Sequence, residues 1–215
     1  MKKISKLVIA TRNPGKKERY GRLFSGVANK VLSLEDLGIK EKPEESGETA
    51  EENAEMKAKF YARKTGLPVF SEDESLFVDF LPSEKQPGVY IRRVNGRDEV
   101  NDDKLLKHWN SIVAKVPEGK RTGRWHTAYC FALPNGKVNT VAVDYKRVFF
   151  SPPSKIRIPG WPLSSLQGPV EFRKPHTELT KDELKSMMAE TDRILKERLK
   201  KLFKEVSLSR DKINR

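Results

Sequence analysis

Apolar and polar positions change period along this chain, and those changes mark its elements. The run Leu7-Val8-Ile9-Ala10 reads as a first core strand over residues 6–11. It is too short for the roughly 18 apolar residues of a membrane span and for the roughly 7–15 of a signal peptide's apolar region. The strand ends in Thr11-Arg12-Asn13-Pro14-Gly15-Lys16, where Asn13 suits a helix N-cap and Pro14 the first helical position, so a helix is predicted to about Phe24. A second helix is signalled at Thr49, with Glu52 completing a capping box, and Thr65-Gly66 followed by Pro68 stops it. Val69-Phe70 then opens a strand that delivers Asp73 at or near its end.

Beyond Pro87-Gly88 the pattern predicts a short extended piece, Val89–Val94, and a helix around Asp102–Val116. Trp125–Leu133 and Lys137–Val148 are rich in aromatic and β-branched residues, and Pro134-Asn135-Gly136 between them predicts a hairpin. Residues 151–176 are rich in Pro and Gly and show no period. A last helix opens at Thr180, with Glu183 placed to box its cap, and Leu184, Met188, Leu195, Leu199 and Leu202 keep one apolar face to about residue 205. Residues 206–215 read as a flexible basic tail. This order indicates a single α/β domain over residues 1–205 with a mixed sheet, not a plain doubly wound fold. Gly-rich phosphate loops of the GxGxxG or GxxxxGK kind are absent.

Composition narrows the setting. Of 215 residues, 36% are apolar and 34% charged, which describes a globular chain with a heavily charged surface. The single cysteine, Cys130, allows no internal disulfide and fits a reducing cytoplasm. Lys and Arg exceed Asp and Glu by 43 to 30, so the surface attracts phosphates, whether on nucleotides or nucleic acid. The excess is spread over the chain instead of forming one aromatic-studded stripe, so a solvated basic surface competes with a nucleic-acid site, which is not favoured.

Candidate chemistry concentrates in residues 44–79. Asn53 and Lys57, four apart, share one face of the second helix. The acidic groups Glu44-Glu45 and Glu72-Asp73-Glu74 flank that helix in sequence. Oxygen ligands of this kind suit Mg²⁺, which takes one or two carboxylates and completes its shell with water and phosphate. A carboxylate beside such a site can also deprotonate an attacking water. Upstream, the helix start at Thr11–Lys16 offers backbone N–H groups, hydroxyl, amide and ammonium to an anion. Each pattern also has an ordinary structural reading: a capped helix, a solvated face, acidic residues at a strand end. His108, His126 and His176 lack metal-ligand spacing, and Cys130 reads as core.

Together these segments resemble the inosine triphosphate pyrophosphatase family, as a divergent member. The family's T-G-N-x-x-K is matched by Thr11-Arg12-Asn13-Pro14-Gly15-Lys16, and its E-x-x-G-x-T by Glu44, Gly47 and Thr49. E-N-A-x-x-K-A corresponds to Glu52-Asn53-Ala54 with Lys57-Ala58. T-G-L-P and the following acidic pair correspond to Thr65-Gly66-Leu67-Pro68 and Glu72-Asp73, and P-G-x-Y to Pro87-Gly88-Val89-Tyr90. The resemblance implies an elongated mixed sheet with two lobes and a central cleft, usually in a homodimer. It implies Mg²⁺ at Glu44 and Asp73, with Glu72 alongside, Asp73 and Lys57 as catalytic residues, and triphosphate held by Thr11, Asn13, Lys16 and Asn53. Arg92 or Arg93 stands where the family carries a basic substrate contact, and Trp161 where an aromatic stacks on the base. The implied reaction is hydrolysis of a non-canonical purine triphosphate such as ITP, dITP or XTP to the monophosphate and pyrophosphate.

The departures from that pattern lie mostly on the base-reading side. Arg12 replaces the first glycine, and Glu74 adds a charge where the family has a small hydroxyl, beside the substrate. Only Pro159-Gly160-Trp161-Pro162 echoes G-G-F-G-[YW]-D-P, and Ser186–Arg193 contains no His-Arg pair to read a purine. Trp161 is either a stacking surface or core. The chain is thus expected to keep the phosphate chemistry with altered base selectivity. The alternative is a catalytically weakened nucleotide- or nucleic-acid-binding homologue.

Overall fold

The apolar run at 7–10 becomes the buried part of β1 (Ile4–Ile9) and the residue after it. This is a computed structural model that describes residues 4–94 and 99–213, with side chains described to residue 202. Asn13 caps α1 (Pro14–Phe24) as its sequence predicts, its Oδ1 accepting from the N–H groups of Gly15 and Lys16. The chain returns through β2 (Ala28–Ser33), a strand the pattern did not announce. β2 is an edge strand, paired in parallel with β1 alone, and its exposed Asn29 and Lys30 erase the alternation a half-buried strand would show. Then α2 (Ala50–Thr65) forms with the expected capping box and ends at Gly66, whose φ of 64° only glycine adopts at little cost.

β3 (Val69–Val78) pairs in parallel with β1 and runs well past Asp73, which is a mid-strand residue instead of a strand-end one. Buried Ser75, Leu76 and Val78 continue the strand beyond the acidic residues. The extended piece expected at Val89–Val94 is instead two tight turns. Tyr90 N–H donates to Pro87 O and Arg93 N–H to Tyr90 O, both at 2.9 Å, because Pro87 presets its own φ and Gly88 admits a φ of 52°. After α3 (Asp102–Val113) come β4 (Thr122–Ala132) and β5 (Val138–Phe149), joined by the predicted turn with Gly136 at φ 86°. β6 (Gln167–Pro169) pairs antiparallel with β5, and α4 (Lys181–Ile213) continues as helix beyond the predicted limit near 205. The strands hydrogen-bond in the order β2-β1-β3-β4-β5-β6, the mixed α/β sheet that the sequence indicates.

The chain divides into two compact units. The first comprises Met1–Asp73, Ala128–Ala142 and Ala189–Arg215. Here Tyr20 and Phe24 of α1 pack with Phe70, Tyr129 and Phe131, ring centroids 4.6–6.4 Å apart. A separate cluster joins Val8, Ala10 and Leu32 to Ala50, Ala54, Ala58 and Ala62, and that alanine stripe lets α2 lie close to the strands. Cys130 is in this cluster, its thiol pushed up to about 11 by burial, so it is core and unreactive near neutral pH.

The second unit comprises Glu74–Thr127 and Val143–Met188 and has its own core of Leu76, Leu105, Trp109, Val113, Phe149, Leu163 and Leu166. Within it β6 presses so tightly on the following loop that a Cβ on Gly168 would run into the Lys174 carbonyl. His176 sits in that packing, its rings 6.2 Å from Trp161, and burial first, then the Arg147 charge, push its pKa down to about 4. An unfolded histidine takes up its proton near pH 6.5, so between pH 6.5 and about 4 the unfolded chain binds more protons and stability falls as pH falls. The full loss is about 3 kcal/mol below pH 4. Urea titrations from pH 7 to 4 should therefore show a steeper acid decline for wild type than for His176→Asn; parallel curves would contradict this. Among the described residues, no helix is long and apolar enough to cross a membrane.

Candidate active site

Three segments of the first unit meet around one ammonium. Lys57 projects from the middle of α2, and its Nζ lies 2.6 Å from Asp73 Oδ1 on β3. On its other side Glu45 Oε2 is 3.3 Å away, brought in by the irregular chain before α2. The Lys57 side chain is only 13% exposed, so this triad is held largely out of bulk solvent. Burial raises the Asp73 pKa above the ordinary aspartate range, against the pull of Lys57 and Lys16 and with a push from Glu45. A carboxylate of raised basicity beside a fixed cation is suited to accept a proton from water.

A second pair stands next to it. Lys16, from the first turn of α1, forms an ion pair with Glu72, whose side chain is 5% exposed. Consecutive residues of β3 thus each meet a lysine, Glu72 from α1 and Asp73 from α2. Successive side chains of a strand point to opposite faces, which is why neighbouring acids reach different helices.

The remaining candidate residues are placed as follows. Asn53, 4% exposed, donates from Nδ2 to Gly47 O at 3.2 Å and accepts at Oδ1 from Gly47 N–H at 2.9 Å. Its amide therefore clasps the acidic segment at Gly47. Gly47 has no room for a side chain, since a Cβ would stand 2.7 Å from Glu52 Cβ and 2.8 Å from Asn53 Oδ1. Thr11 Oγ1 accepts from Asn13 N–H, Asn13 takes the N–H groups of Gly15 and Lys16, and Lys17 N–H bonds Asn13 O. The first-turn backbone donors expected to cradle an anion are thus already engaged, which leaves the Lys16 side chain as the cationic group of that loop. Glu44 is exposed, while Glu45 reaches Lys57. Sequence reasoning singled out Glu44 and missed Glu45; the one available signal was that adjacent residues of an extended segment point opposite ways.

Other expected residues belong to the second unit. Arg92 donates to Asp102 Oδ1 at 2.8 Å and to Val100 O at 3.3 Å, and Asp102 Oδ2 accepts from Gly160 N–H at 2.9 Å. Arg92 thereby ties the turn after Gly88 to α3 and, through Asp102, to the turn before Trp161. Trp161 is partly buried, and its Nε1 has no hydrogen-bond partner. Glu74 follows Asp73 along β3 and opens this unit. His126 Nδ1 lies 2.6 Å from Asp144 Oδ1, consistent with a structural role.

Among the described residues, no group of three or more His, Cys, Asp or Glu side chains could hold a metal ion unaided. The donor set nonetheless fits Mg²⁺. Asp73 and Glu45 supply the hard oxygens that this ion takes from protein, and phosphate and water ordinarily complete its shell.

Comparison with known proteins places the whole chain. A dITP/XTP pyrophosphatase of Bacillus cereus is 34% identical over 186 residues, covering 85% of this chain and 88% of that protein. The dITP/XTP pyrophosphatase of Geobacter sulfurreducens is 37% identical over 153 residues, 70% of this chain and 74% of its own. Among solved structures, a nucleoside-triphosphatase, dITP/XTP pyrophosphatase, from Mycobacterium abscessus superposes with a TM-score of 0.66 at 26% identity, over 88% of this chain and 96% of that one. A HAM1 protein from Coxiella burnetii matches with a TM-score of 0.71 at 19% identity, over 90% and 100% of the two chains, which shows the shared fold. Residues 7–145 match the model of the Ham1 family, and with relatives of this identity over most of its length the chain belongs to that family, the inosine triphosphate pyrophosphatases.

Proposed function

We propose that this protein is a Mg²⁺-dependent nucleoside triphosphate pyrophosphohydrolase, a hydrolase of phosphoric anhydrides acting on non-canonical purine triphosphates such as ITP, dITP or XTP. The observation that carries the reading is Lys57 held between Asp73 and Glu45 in a site where burial raises the basicity of Asp73. Relatives with dITP/XTP pyrophosphatase names support the substrate class.

Charge balance explains why a metal belongs in it. Around Lys57 two carboxylates face one ammonium, and Lys16 is already neutralised by Glu72. A triphosphate brings several more negative charges, so the site as built repels its own substrate. Asp73 and Glu45, with Glu44 beside them, would hold Mg²⁺, which when bound neutralises the phosphates and withdraws charge from the phosphorus under attack. Asp73 takes the proton from a water aimed at the α-phosphorus. The P–O bond to the β-phosphate breaks, and pyrophosphate leaves as the monophosphate gains the water oxygen. Lys57 holds Asp73 in place, offsets its charge and can turn to a phosphate oxygen as the proton moves.

The base-reading side supports altered selectivity. Residues 186–193 of α4 carry no His-Arg pair, and a pocket lacking such donors discriminates less between purines. Trp161, with an unpartnered indole N–H, is the aromatic this chain retains for stacking on a base. The homodimer implied by the resemblance and the cytoplasmic setting that the single cysteine fits belong to the same reading, and the oligomer is checked by mass in solution. Purified protein with Mg²⁺ and a panel of triphosphates, scored for pyrophosphate, tests the function. Release from ITP or XTP is expected, and release from none would overturn the proposal.

A further inference from the structure

We propose that Arg12, the residue standing where the family pattern has glycine, is a positioning residue that sets the acidic segment carrying Glu44 and Glu45; this rests on the reading of that segment as part of the metal and triphosphate site. Between Ile39 and Thr49 the chain has no regular secondary structure, so its backbone polar groups must be held by side chains or water. Two anchors hold it. Upstream, Arg12 Nη2 donates to Lys40 O at 2.6 Å and to Glu41 O at 2.9 Å. Tyr61 OH donates to the same Glu41 carbonyl at 2.9 Å, and Lys64 Nζ reaches the Glu41 carboxylate at 2.7 Å. Downstream, Asn53 clasps Gly47, and Glu52 Oε2 accepts from the N–H groups of Glu48 and Thr49 at 2.8 and 3.2 Å. Glu44 and Glu45 hang between these anchors, and Glu45 is the residue that reaches Lys57.

Of the upstream contacts, Arg12 is the one that comes from the β1–α1 connection. That connection is itself rigid, fixed by the Asn13 cap, and the next turn of α1 supplies Lys16. Arg12 therefore ties the loop that presents Lys16 to the segment that presents Glu45. A guanidinium can serve two successive carbonyls at once, whereas an ammonium offers one compact charge and a glycine offers nothing. Among the described residues, the hydrogen bonds of the Arg12 guanidinium go to backbone carbonyls, so its influence passes through the backbone at 40–41.

Arg12→Gly, Arg12→Lys and Tyr61→Phe test this. With Arg12→Gly the Mg²⁺ concentration for half-maximal hydrolysis of ITP should rise about tenfold, with kcat at saturating Mg²⁺ kept within about threefold, because the carboxylates remain but are less well placed. Arg12→Lys should recover part of the shift, and Tyr61→Phe should move it the same way by less. In a Glu45→Gln background Arg12→Gly should add less than about twofold, since two residues acting through one contact are not additive. An equal loss of kcat at every Mg²⁺ concentration, or full multiplication of the two effects, would overturn the proposal. A readout free of substrate separates it from the function itself. Amide hydrogen exchange over residues 42–47 should quicken about tenfold or more in Arg12→Gly while α2 keeps its protection. Unchanged exchange there defeats the tether even if ITP is hydrolysed, and quickened exchange upholds it even if ITP is not.

Discussion

Asp73→Asn is expected to lower kcat for ITP by about a thousandfold, the scale of a lost general base. Asparagine matches aspartate in size and can still accept a hydrogen bond from Lys57, but it cannot take a proton from water. The loss should appear in kcat more than in KM, because most of the phosphate-facing surface is kept. Stability should move differently. Burial raises the folded-state pKa of Asp73 above its unfolded value, so its net contribution favours folding below the unfolded pKa and is lost as pH rises through the folded one. At neutral pH the ionised carboxylate is thus a net cost, and Asn removes it. The thermal midpoint of the variant at pH 7 should not fall below wild type. Turnover within a few-fold of wild type would show that the carboxylate has been given the wrong role.

Lys57→Met is expected to damage fold and activity together. It leaves Glu45 and Asp73 facing one another with no ammonium between them, and removing one partner of a buried ion pair costs about 3 kcal/mol or more. Two facing carboxylates are relieved by protonation or by a cation. Urea unfolding should therefore show the variant weakened at pH 7, partly restored at pH 5, and stabilised by added Mg²⁺ more than wild type is, since a ligand that binds only the folded state adds to stability. Activity should drop by more than about a hundredfold. Equal stability of the two proteins at pH 7 would mean that the triad is not a coupled charge cluster.

Much of this arrangement was legible in the sequence because it is written locally. Asn13-Pro14 and Thr49-x-x-Glu52 are caps that need only their own neighbours, and both helices begin where those residues say. Gly66 and Gly136 stop a helix and close a hairpin for the same local reason, a positive φ. β2 was hidden because an edge strand with exposed Asn29 and Lys30 has no alternation to read. The length of β3 was underestimated because acidic residues at 72–74 look like a strand end, while the lysines that pair with Glu72 and Asp73 come from elements far away in sequence.

The site shows the same division. Lys57 and Asp73 were readable as types and spacing, and the structure adds the contact between them. For Asn53 the structure adds its two bonds to Gly47, which nothing local in the sequence announces. Arg92 likewise found its partner, Asp102, across a turn that the sequence presented as extended. Glu45 and Glu44 are chemically identical neighbours, and only the path of an irregular segment decides which one meets Lys57. On the inference above that path depends on Arg12, which replaces the family's glycine and donates two hydrogen bonds to the segment.

Hydrolysis of ITP in ¹⁸O-labelled water tests the central claim most directly, because it reports which phosphorus the water attacks. Attack at the α-phosphorus, with Asp73 as the base, places the label in IMP and leaves pyrophosphate unlabelled, and Asp73→Asn should slow the formation of both products by about a thousandfold. Label in pyrophosphate, release of orthophosphate in its place, or the same labelled products from Asp73→Asn at wild-type rate would contradict it.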